Sequence, residues 1–408
     1  MDKRLNWPIA AVAILTLTAY VIFWSRILGF QWDVAVYARA VADYARGADP
    51  YRTDVYLPFV YHPFTLRVLV LLNHLAPVKV LFPALTLAAV GWLFVEFGQI
   101  TVRAGDRGGA ADAPPSAVSP KVLAFALLVA AGFGGVGAPA LMSGNMSGLM
   151  HFTLLAAFLR AGRVDNVPSR YLPYALILAF ALVKPYMLIY LAVPVLQEQK
   201  RVPALIAGVV VVALFAVCWF SFQAVWPDQY ARFVTNLQWQ TLSRGDVGYT
   251  FFYVFGHFTR QLATALELHG IVSLLLIALV PLLFTRKYGP DAPFAPKLAV
   301  IYLVLTLANP RMKDYDLFPA LAAFFAVFAL LFPRRAAPIT LAGALVAAVP
   351  VFARLGAPRL FARHPLFFDP FGNWQILGLA LIAVLFLVGM MDGEPLESET
   401  RARELKPL

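Results

Sequence analysis

The chain has 408 residues, of which 61% are hydrophobic and only 13% are charged. This composition excludes an ordinary soluble globular protein, in which about a quarter of the residues are charged. The net charge of +11 would suggest a nucleic-acid partner in a soluble protein. Here the basic residues fall in loop clusters, which indicates membrane topology and contact with membrane lipids, so no nucleic-acid partner is expected.

Long apolar blocks recur along the chain. Leu5 to Ser25 contains no Asp, Glu, Lys or Arg and is close to the length that crosses a hydrocarbon core of roughly 30 Å. Later blocks without these charged residues are 204–227, 268–285, 317–333, 336–353 and 370–391. The pattern predicts an all-α polytopic membrane protein with about 10 to 12 transmembrane helices. Residues 1–391 are expected to form one multispan domain, followed by a cytoplasmic tail at 392–408.

The number of spans in the first half is left open by the sequence. Apolar segments at 64–76, 80–101, 122–142, 148–159 and 172–196 give twelve spans in total if all of them cross. That count would place Arg160, Arg163 and Arg170 outside, against the excess of basic residues in cytoplasmic loops. Alternatively, Ser143 to Gly148 and Lys184-Pro185 are breaks where short helices turn back beside a cavity.

A polar-aromatic interval, Gly29 to Pro63, follows the first span. The basic start of the chain favours a cytoplasmic N-terminus, which places this interval outside the membrane on the opposite side. Its helical pattern predicts a helix lying in the membrane interface, with Arg39 and Asp43 paired on the wet side at i, i+4. Asp33 begins that helix, and either helix capping or general-base chemistry explains a carboxylate there.

Two further sites carry charge next to apolar spans. Lys184 stands between two charge-free stretches, where a lysine is costly unless it faces a cavity or an anionic partner. A snorkelling lysine near the interface is the alternative. Arg311 and Lys313 lie in a short loop and are suited to hold a phosphate. The alternative is a solvated turn whose charges neutralise one another. His62 and Asn145 are polar residues at span ends that structural roles explain equally well.

In this order, the motifs resemble the GT-C glycosyltransferases and, more narrowly, glycosyltransferase family 87. The resemblance spans most of the chain, from Trp32 to Pro319. It rests on Asp33 within D-x-x-x-Y, the G-x-D-P-Y motif from Gly47, Tyr61-His62-Pro63, Gly144-Asn145, Lys184-Pro185 and the loop from Asn309 to Tyr315. Two positions depart from the family pattern, because His62 replaces a usual proline and Asn145 replaces a frequent glutamine.

The resemblance implies an inverting transfer of a sugar, with mannose expected, from a polyprenyl-phosphate carrier to a hydroxyl of a lipid or glycan acceptor. It implies Asp33 as the general base, and Arg311, Lys313 and Lys184 as ligands of the donor phosphate. The residues expected to contact the sugar or the acceptor are Tyr37, Tyr61, His62, Asn145, Asp314, Tyr315 and Asp316. The implied location is the cell membrane, with the active site facing the periplasm or exterior.

No cofactor is expected under this interpretation, and no metal ion is strictly required because the leaving group is already a lipid phosphate. The competing hypothesis is a transporter or flippase for a lipid-linked or anionic solute. Lys184 beside a helix-breaking proline is compatible with a transporter, since transporters use interrupted helices at mid-membrane. The large outward loop after the first span and the absence of internal sequence repeats favour the enzyme.

Overall fold

The computed structural model describes residues 3–55, 57–102, 116–117, 120–197, 201–240, 250–259, 261–288, 294–309 and 311–331, with scattered positions from 338 to 348. These residues are mostly helical. The helices are α1 (Lys3–Ile27), α2 (Trp32–Ala45), α3 (Pro63–Leu75), α4 (Val78–Gly98), α5 (Pro120–Gly132), α6 (Gly137–Ser143), α7 (Met146–Arg163), α8 (Val167–Ala181), α9 (Ala192–Gln197), α10 (Arg201–Val225), α11 (Pro227–Gln238), α12 (Phe251–Thr259), α13 (Leu262–Tyr288), α14 (Phe294–Ala308) and α15 (Asp314–Leu331).

Shorter elements connect some of these helices. Two-residue strands β1 (Thr101–Val102) and β2 (Ser116–Ala117) pair antiparallel, with Thr101 opposite Ala117. Short 3-10 helices cover Phe133–Gly135 and Pro185–Leu191.

Four segments are long and apolar enough to cross a membrane, and their composition confirms the predicted class of all-α polytopic membrane protein. They are Trp7–Ala45, which covers α1 from Trp7 onward and all of α2, then Val78–Gly98, Arg201–Val225 and Ala263–Arg286. A fifth crossing is formed if α5 and α6 act as one span, although the chain bends by 100° between them.

The described residues thus contain four or five candidate spans, compared with the predicted total of about 10 to 12. Several predicted spans are shorter helices in the structure, such as Phe294–Ala308. The predicted span at 374–391 and the tail at 392–408 lie outside the described residues, and only scattered positions of 337–353 are described. The domain boundary at 391 therefore stays a prediction.

Both predicted helix breaks are confirmed. Helix α6 ends at Ser143, and its C-cap residue Gly144 has φ +65° and ψ 28°. Helix α7 begins two residues after Gly144, at Met146. Glycine is favoured here because a side chain in this left-handed region is strained. An added Cβ would also overlap Val34 of α2, so α6 and α2 approach closely at this turn. Helix α8 ends at Ala181, and Lys184 adopts an extended conformation before Pro185 begins the 3-10 helix.

Helix α7 lies at the centre of the packed part of the molecule. It packs against α4, α8, α14 and α15, and α2 packs against α3, α4 and α6. Nearly all of α14 is buried, so it is covered by neighbouring helices along its length. Polar side chains lie at several helix ends within this arrangement. These ends are the starts of α2, α7 and α15 and the segment that follows α8, and together they form one polar site.

The predicted pairing of Arg39 with Asp43 is wrong. Arg39 donates to the carbonyl oxygen of Leu57, whereas the Asp43 carboxylate pairs with Arg46 at 2.6 Å and with Arg52 at 3.2 Å. Asp43 is also buried, with 1% of its surface exposed, and is not on a wet helix face. Arg46 is a local partner at i, i+3, whereas Arg52 reaches Asp43 because the loop after α2 folds back, which i, i+4 spacing does not indicate.

Candidate active site

Four separate parts of the chain contribute to one polar cluster. Asp33 comes from the first turn of α2, Asn145 from the residue before α7, Lys184 from the break after α8, and Asp316 from the first turn of α15. Their side chains are joined by hydrogen bonds, either directly or through one or two neutral groups. The structure therefore brings together residues separated by more than 280 positions in the sequence.

Asn145 links the carboxylate of Asp33 to the ammonium group of Lys184. Its Nδ2 donates to Asp33 Oδ2 at 3.0 Å and to the hydroxyl of Tyr61 at 3.3 Å. Its Oδ1 accepts from Lys184 Nζ at 3.1 Å and from the backbone N–H of Ser147 at 3.0 Å, which caps α7. Both ends of the amide are thus used by the protein, and the amide orientation is fixed by these partners.

Lys184 is held by polar groups and surrounded by aromatic rings. Besides Asn145, its Nζ donates to the Ser147 hydroxyl. The same nitrogen lies 4.9 Å from the ring centroid of Tyr315, 5.7 Å from that of Tyr61 and 5.9 Å from that of Tyr186. Aromatic faces within about 6 Å attract a cation. This environment explains how a lysine is tolerated between two apolar stretches.

On the other side of Lys184, a chain of hydroxyl groups leads to a second carboxylate. The Ser147 and Tyr186 hydroxyls are 3.0 Å apart, and the Tyr186 hydroxyl donates to Asp316 Oδ1 at 2.5 Å. Asp316 is buried, and its Oδ2 accepts from the backbone N–H of Lys313 at 2.9 Å. His151 Nε2 lies 3.4 Å from Asp316 Oδ1. Lys184 therefore lies between two acidic groups without direct contact with either.

Asp33 does not cap α2. The N-cap residue is Gln31, whose backbone has φ 57° and ψ 39°, and Asp33 lies in the first turn beyond it. A left-handed glutamine is uncommon, and such strain persists where surrounding contacts over-determine the backbone. Here the Gln31 N–H donates to the carbonyl oxygen of Met142 at 2.5 Å, which ties the start of α2 to α6. This contact directs Asp33 towards Asn145.

Three of the predicted pocket tyrosines lie in this cluster. The hydroxyls of Tyr37 and Tyr61 are 3.0 Å apart, and Tyr37 also accepts from the backbone N–H of Met146 at 3.3 Å. Tyr315 presents its ring to Lys184. These contacts connect α2, the loop before α3, α7 and α15 around the same polar groups.

The late loop adds positive charge beside the cluster. Asp33 lies within electrostatic range of Lys184 and Lys313, and Lys184 lies within range of Arg311 and Lys313. The backbone N–H of Arg311 donates to Asn309 Oδ1 at 3.0 Å, which shapes the turn. Asp314 is buried in the first turn of α15. Three basic side chains, of Lys184, Arg311 and Lys313, therefore lie near the acidic groups of the cluster.

His62 has a different environment from the other predicted site residues. It caps α3, because its Nδ1 accepts from the Phe64 N–H at 3.2 Å, and its ring lies 4.1 Å from the Trp219 ring. Burial lowers the pKa of His62 to about 4, so its imidazole is neutral near pH 7 and offers no charge to a phosphate. Its contacts in the described residues are to α3, α10 and α11.

Some polar members of the cluster were not among the predicted site residues, namely Ser147, Tyr186 and His151. Ser147 and His151 are four residues apart, which places them on one face of α7. Tyr186 follows Lys184 by two residues. These spacings could have indicated a shared polar site, but hydroxyl groups in apolar segments are also common in helix packing.

The described residues contain no group of three or more His, Cys, Asp or Glu side chains close enough to hold a metal ion.

Neutral hydrogen-bonding groups separate the carboxylate from the nearest cation in this cluster. The carboxylate is suited to take up a proton, and the cations are suited to bind an anion. Fold and site together define a polytopic membrane protein with a polar site enclosed by helices. The chain belongs to glycosyltransferase family 87, whose sequence model matches residues 59–310, more than half of the chain. It is therefore a glycosyltransferase. No curated protein matches the chain.

The family match includes some of the cluster and not the rest. Tyr61, Asn145 and Lys184 lie inside residues 59–310, whereas Asp33 precedes the match and Arg311 follows it. The family match therefore does not extend to Asp33 or to Arg311.

Proposed function

We propose that the protein transfers a sugar, with mannose as the expected unit, from a polyprenyl-phosphate donor to a hydroxyl of a lipid or glycan acceptor. The observation that carries the proposal is the Asp33–Asn145–Lys184 contact series, which holds an acid and a cation at a fixed separation. A sugar transfer with a phosphate leaving group needs both kinds of group, one for each side of the reacting carbon.

Asp33 is the general base in this proposal. Asn145 donates to Asp33 Oδ2, and Ser143 is a second hydrogen-bond partner of this carboxylate. We assign to the Asp33 carboxylate the uptake of the proton of the acceptor hydroxyl. The acceptor oxygen attacks the anomeric carbon as its proton passes to Asp33. The bond between that carbon and the phosphate oxygen breaks, and the phosphate leaves with the electron pair. Attack from the side opposite the phosphate inverts the configuration.

The phosphate is bound by the basic side chains of the cluster, namely Lys184, Arg311 and Lys313. Two N–H groups of the Lys184 ammonium are used by Asn145 and Ser147, and an ammonium group has three donors. The remaining donor is available for a phosphate oxygen. Positive charge here stabilises the additional negative charge that the phosphate carries as it leaves.

We assign different roles to the other residues that were predicted to contact the sugar or the acceptor. Tyr61 and Tyr315, whose rings face Lys184, are placed to contact the sugar. Tyr37 and Asn145 are occupied by contacts within the protein and support their neighbours. Asp316 and Asp314 begin α15, where Asp316 completes the polar cluster. We place His62 outside the sugar pocket because its ring packs against α10 and α11.

A membrane location suits an enzyme whose sugar donor is carried on a lipid. A polyprenyl chain is apolar and dissolves in the bilayer, so an enzyme that uses it benefits from a polar site enclosed by apolar helices. The proposed location is the cell membrane, with the site facing the periplasm or exterior. The supporting observation is the pair of basic residues, Lys3 and Arg4, before the first apolar block, which favours a cytoplasmic N-terminus.

The test uses purified protein in proteoliposomes with a radiolabelled polyprenyl-phosphate-linked mannose and a membrane extract as acceptor. We expect label in a new glycolipid or glycan product and release of polyprenyl phosphate. Movement of the intact donor across the bilayer without any covalent product would support the transporter hypothesis, which the helix break at Lys184 keeps plausible in physical terms. If the assay shows no labelled product and no movement of the donor, both hypotheses are overturned.

A further inference from the structure

We propose that Ser147 and Tyr186 are positioning residues, which hold the Lys184 ammonium group for the donor phosphate and use Asp316 as their anchor. The proposal rests on the proposed function, because it deepens the description of the phosphate site. None of the residue patterns that identified Asp33 or the late loop includes Ser147 or Tyr186.

The direction of each hydrogen bond follows from the groups involved. An ionised carboxylate only accepts, so the Tyr186 hydroxyl must use its single proton toward Asp316. Its contact with Ser147 at 3.0 Å then requires Ser147 to donate. An ammonium group only donates, so Ser147 must accept from Lys184. The series therefore runs in one direction from the cation to the carboxylate.

The anchor of this series is itself fixed from several sides. Asp316 accepts from the backbone N–H of Lys313 at its other oxygen, which reinforces the start of α15. His151 lies beside Asp316, and the other ring nitrogen of His151 lies 2.7 Å from the Tyr302 hydroxyl. Tyr302 belongs to the buried helix α14. Asp316 is thus held by α7, α14 and the late loop, and it gives Tyr186 one preferred orientation.

The neutral spacers have a physical consequence for phosphate binding. A direct ion pair between Lys184 and Asp316 would use the charge of the ammonium group within the protein. Two intervening hydroxyls instead orient the ammonium group and leave its charge less compensated. Without the Tyr186 hydroxyl, Ser147 loses its acceptor and the Lys184 side chain gains alternative positions, so phosphate binding weakens.

The experiment compares Tyr186→Phe and Ser147→Ala with the parent protein in nanodiscs. Binding of a synthetic polyprenyl phosphate is measured together with donor KM and kcat. Each variant is expected to weaken phosphate binding and raise donor KM roughly tenfold, as loss of a hydrogen bond in a charged series does. Tyr190→Phe is the matched control, because its buried hydroxyl contacts Thr306 and does not belong to the series.

The variants are then repeated in a Lys184→Ala background. Residues that act through Lys184 have no further effect on phosphate binding once Lys184 is absent. If Tyr186→Phe binds phosphate as the parent does, or weakens binding by the same factor in both backgrounds, the proposal is overturned. A parent protein that binds polyprenyl phosphate but transfers no sugar would refute the proposed transfer reaction, while the binding data still decide the role of Tyr186.

Discussion

Two acidic clusters in this molecule handle charge in opposite ways. Glu96 of α4 pairs directly with two arginines at the end of α7, with Arg163 at 2.7 Å and Arg160 at 3.4 Å. It also accepts from the Trp92 indole N–H at 3.0 Å. In the site cluster, among the described residues, no ion pair joins Lys184 to Asp33 or Asp316. Neutral amide and hydroxyl groups separate the charges there.

The two arrangements of charge suit different roles. Direct pairing satisfies Glu96 within the protein and connects α4 to α7, which is a structural role. Separation by Asn145, Ser147 and Tyr186 fixes the positions of the charges in the site while leaving them able to act on a ligand. Arg160 and Arg163 were difficult to reconcile with the twelve-span topology, and their pairing with Glu96 gives them a role that does not depend on topology.

The comparison predicts that the largest loss of activity comes from Asp33→Asn. General-base catalysis contributes roughly a hundredfold to ten-thousandfold, and we expect kcat to fall by at least a factor of that order. The amide keeps the shape of the side chain, so melting temperature and binding of polyprenyl phosphate are expected to remain near the parent values. The measurement is the initial rate of radiolabelled sugar transfer in proteoliposomes.

Asp54→Asn is the matched control for that variant. Asp54 lies in the loop after α2, its side chain is 72% exposed, and its ion pair with Arg52 is long at 3.9 Å. We expect parent kinetics from this change. A parent-like rate in the Asp33 variant would remove the base from the proposed mechanism.

Lys184→Ala is expected to weaken use of the donor. Hydrogen bonds to charged groups contribute about 1.5–3 kcal/mol, which corresponds to roughly a tenfold to hundredfold loss in donor kcat/KM. Arg160→Ala removes a cation from the Glu96 cluster instead and should leave donor kinetics unchanged. Equal losses of donor kcat/KM in the Lys184 and Arg160 variants would contradict the assignment of donor binding to the Lys184 cluster and of a structural role to the Glu96 cluster.

Gly144→Ala is expected to disturb the site through the backbone. The added methyl group would occupy a left-handed position and overlap Val34, the neighbour of Asp33. Displacement of α2 relative to Asn145 should lower kcat roughly tenfold, since small misplacements of catalytic groups are costly. Gly91→Ala, on α4 with open space around it, is the control and should be neutral. Unchanged kcat in the Gly144 variant would show that this close approach does not position the base.

Glu96→Gln is expected to have the smallest effect on activity. Neutralising this carboxylate weakens its contacts with Arg160 and Arg163, at a cost of about 1–3 kcal/mol in stability. The melting temperature in detergent should fall, while kcat and both KM values stay at parent levels. A specific loss of activity at unchanged stability would contradict the assignment of this cluster to structure.

Part of this account was predictable from the sequence. Lys184-Pro185 and Gly144-Asn145 mark helix breaks because proline and a left-handed glycine interrupt helical hydrogen bonding. Asp33 was identifiable as the carboxylate that follows the first apolar block. The resemblance to family 87 was also visible in the order of short motifs, and the family match confirms it.

Other features depended on long-range packing and could not be predicted. The pairing of Asp43 with Arg52 arises from a loop that folds back, while local spacing favoured Arg39. Ser147 and Tyr186 acquire their roles only because α15 brings Asp316 to them. The Gln31 backbone conformation likewise reflects the contact between α2 and α6, which no local pattern indicates.

The central claim is that the Lys184 side of the cluster binds the donor phosphate while Asp33 faces the sugar. The most direct measurement is a structure in a lipid nanodisc with a non-hydrolysable polyprenyl-phosphonate-linked mannose bound. We expect the phosphonate oxygens in contact with Lys184 and with Arg311 or Lys313, and the anomeric carbon on the side of Asp33. A phosphonate bound instead at Arg160 and Arg163, or a sugar remote from Asp33, would contradict the account.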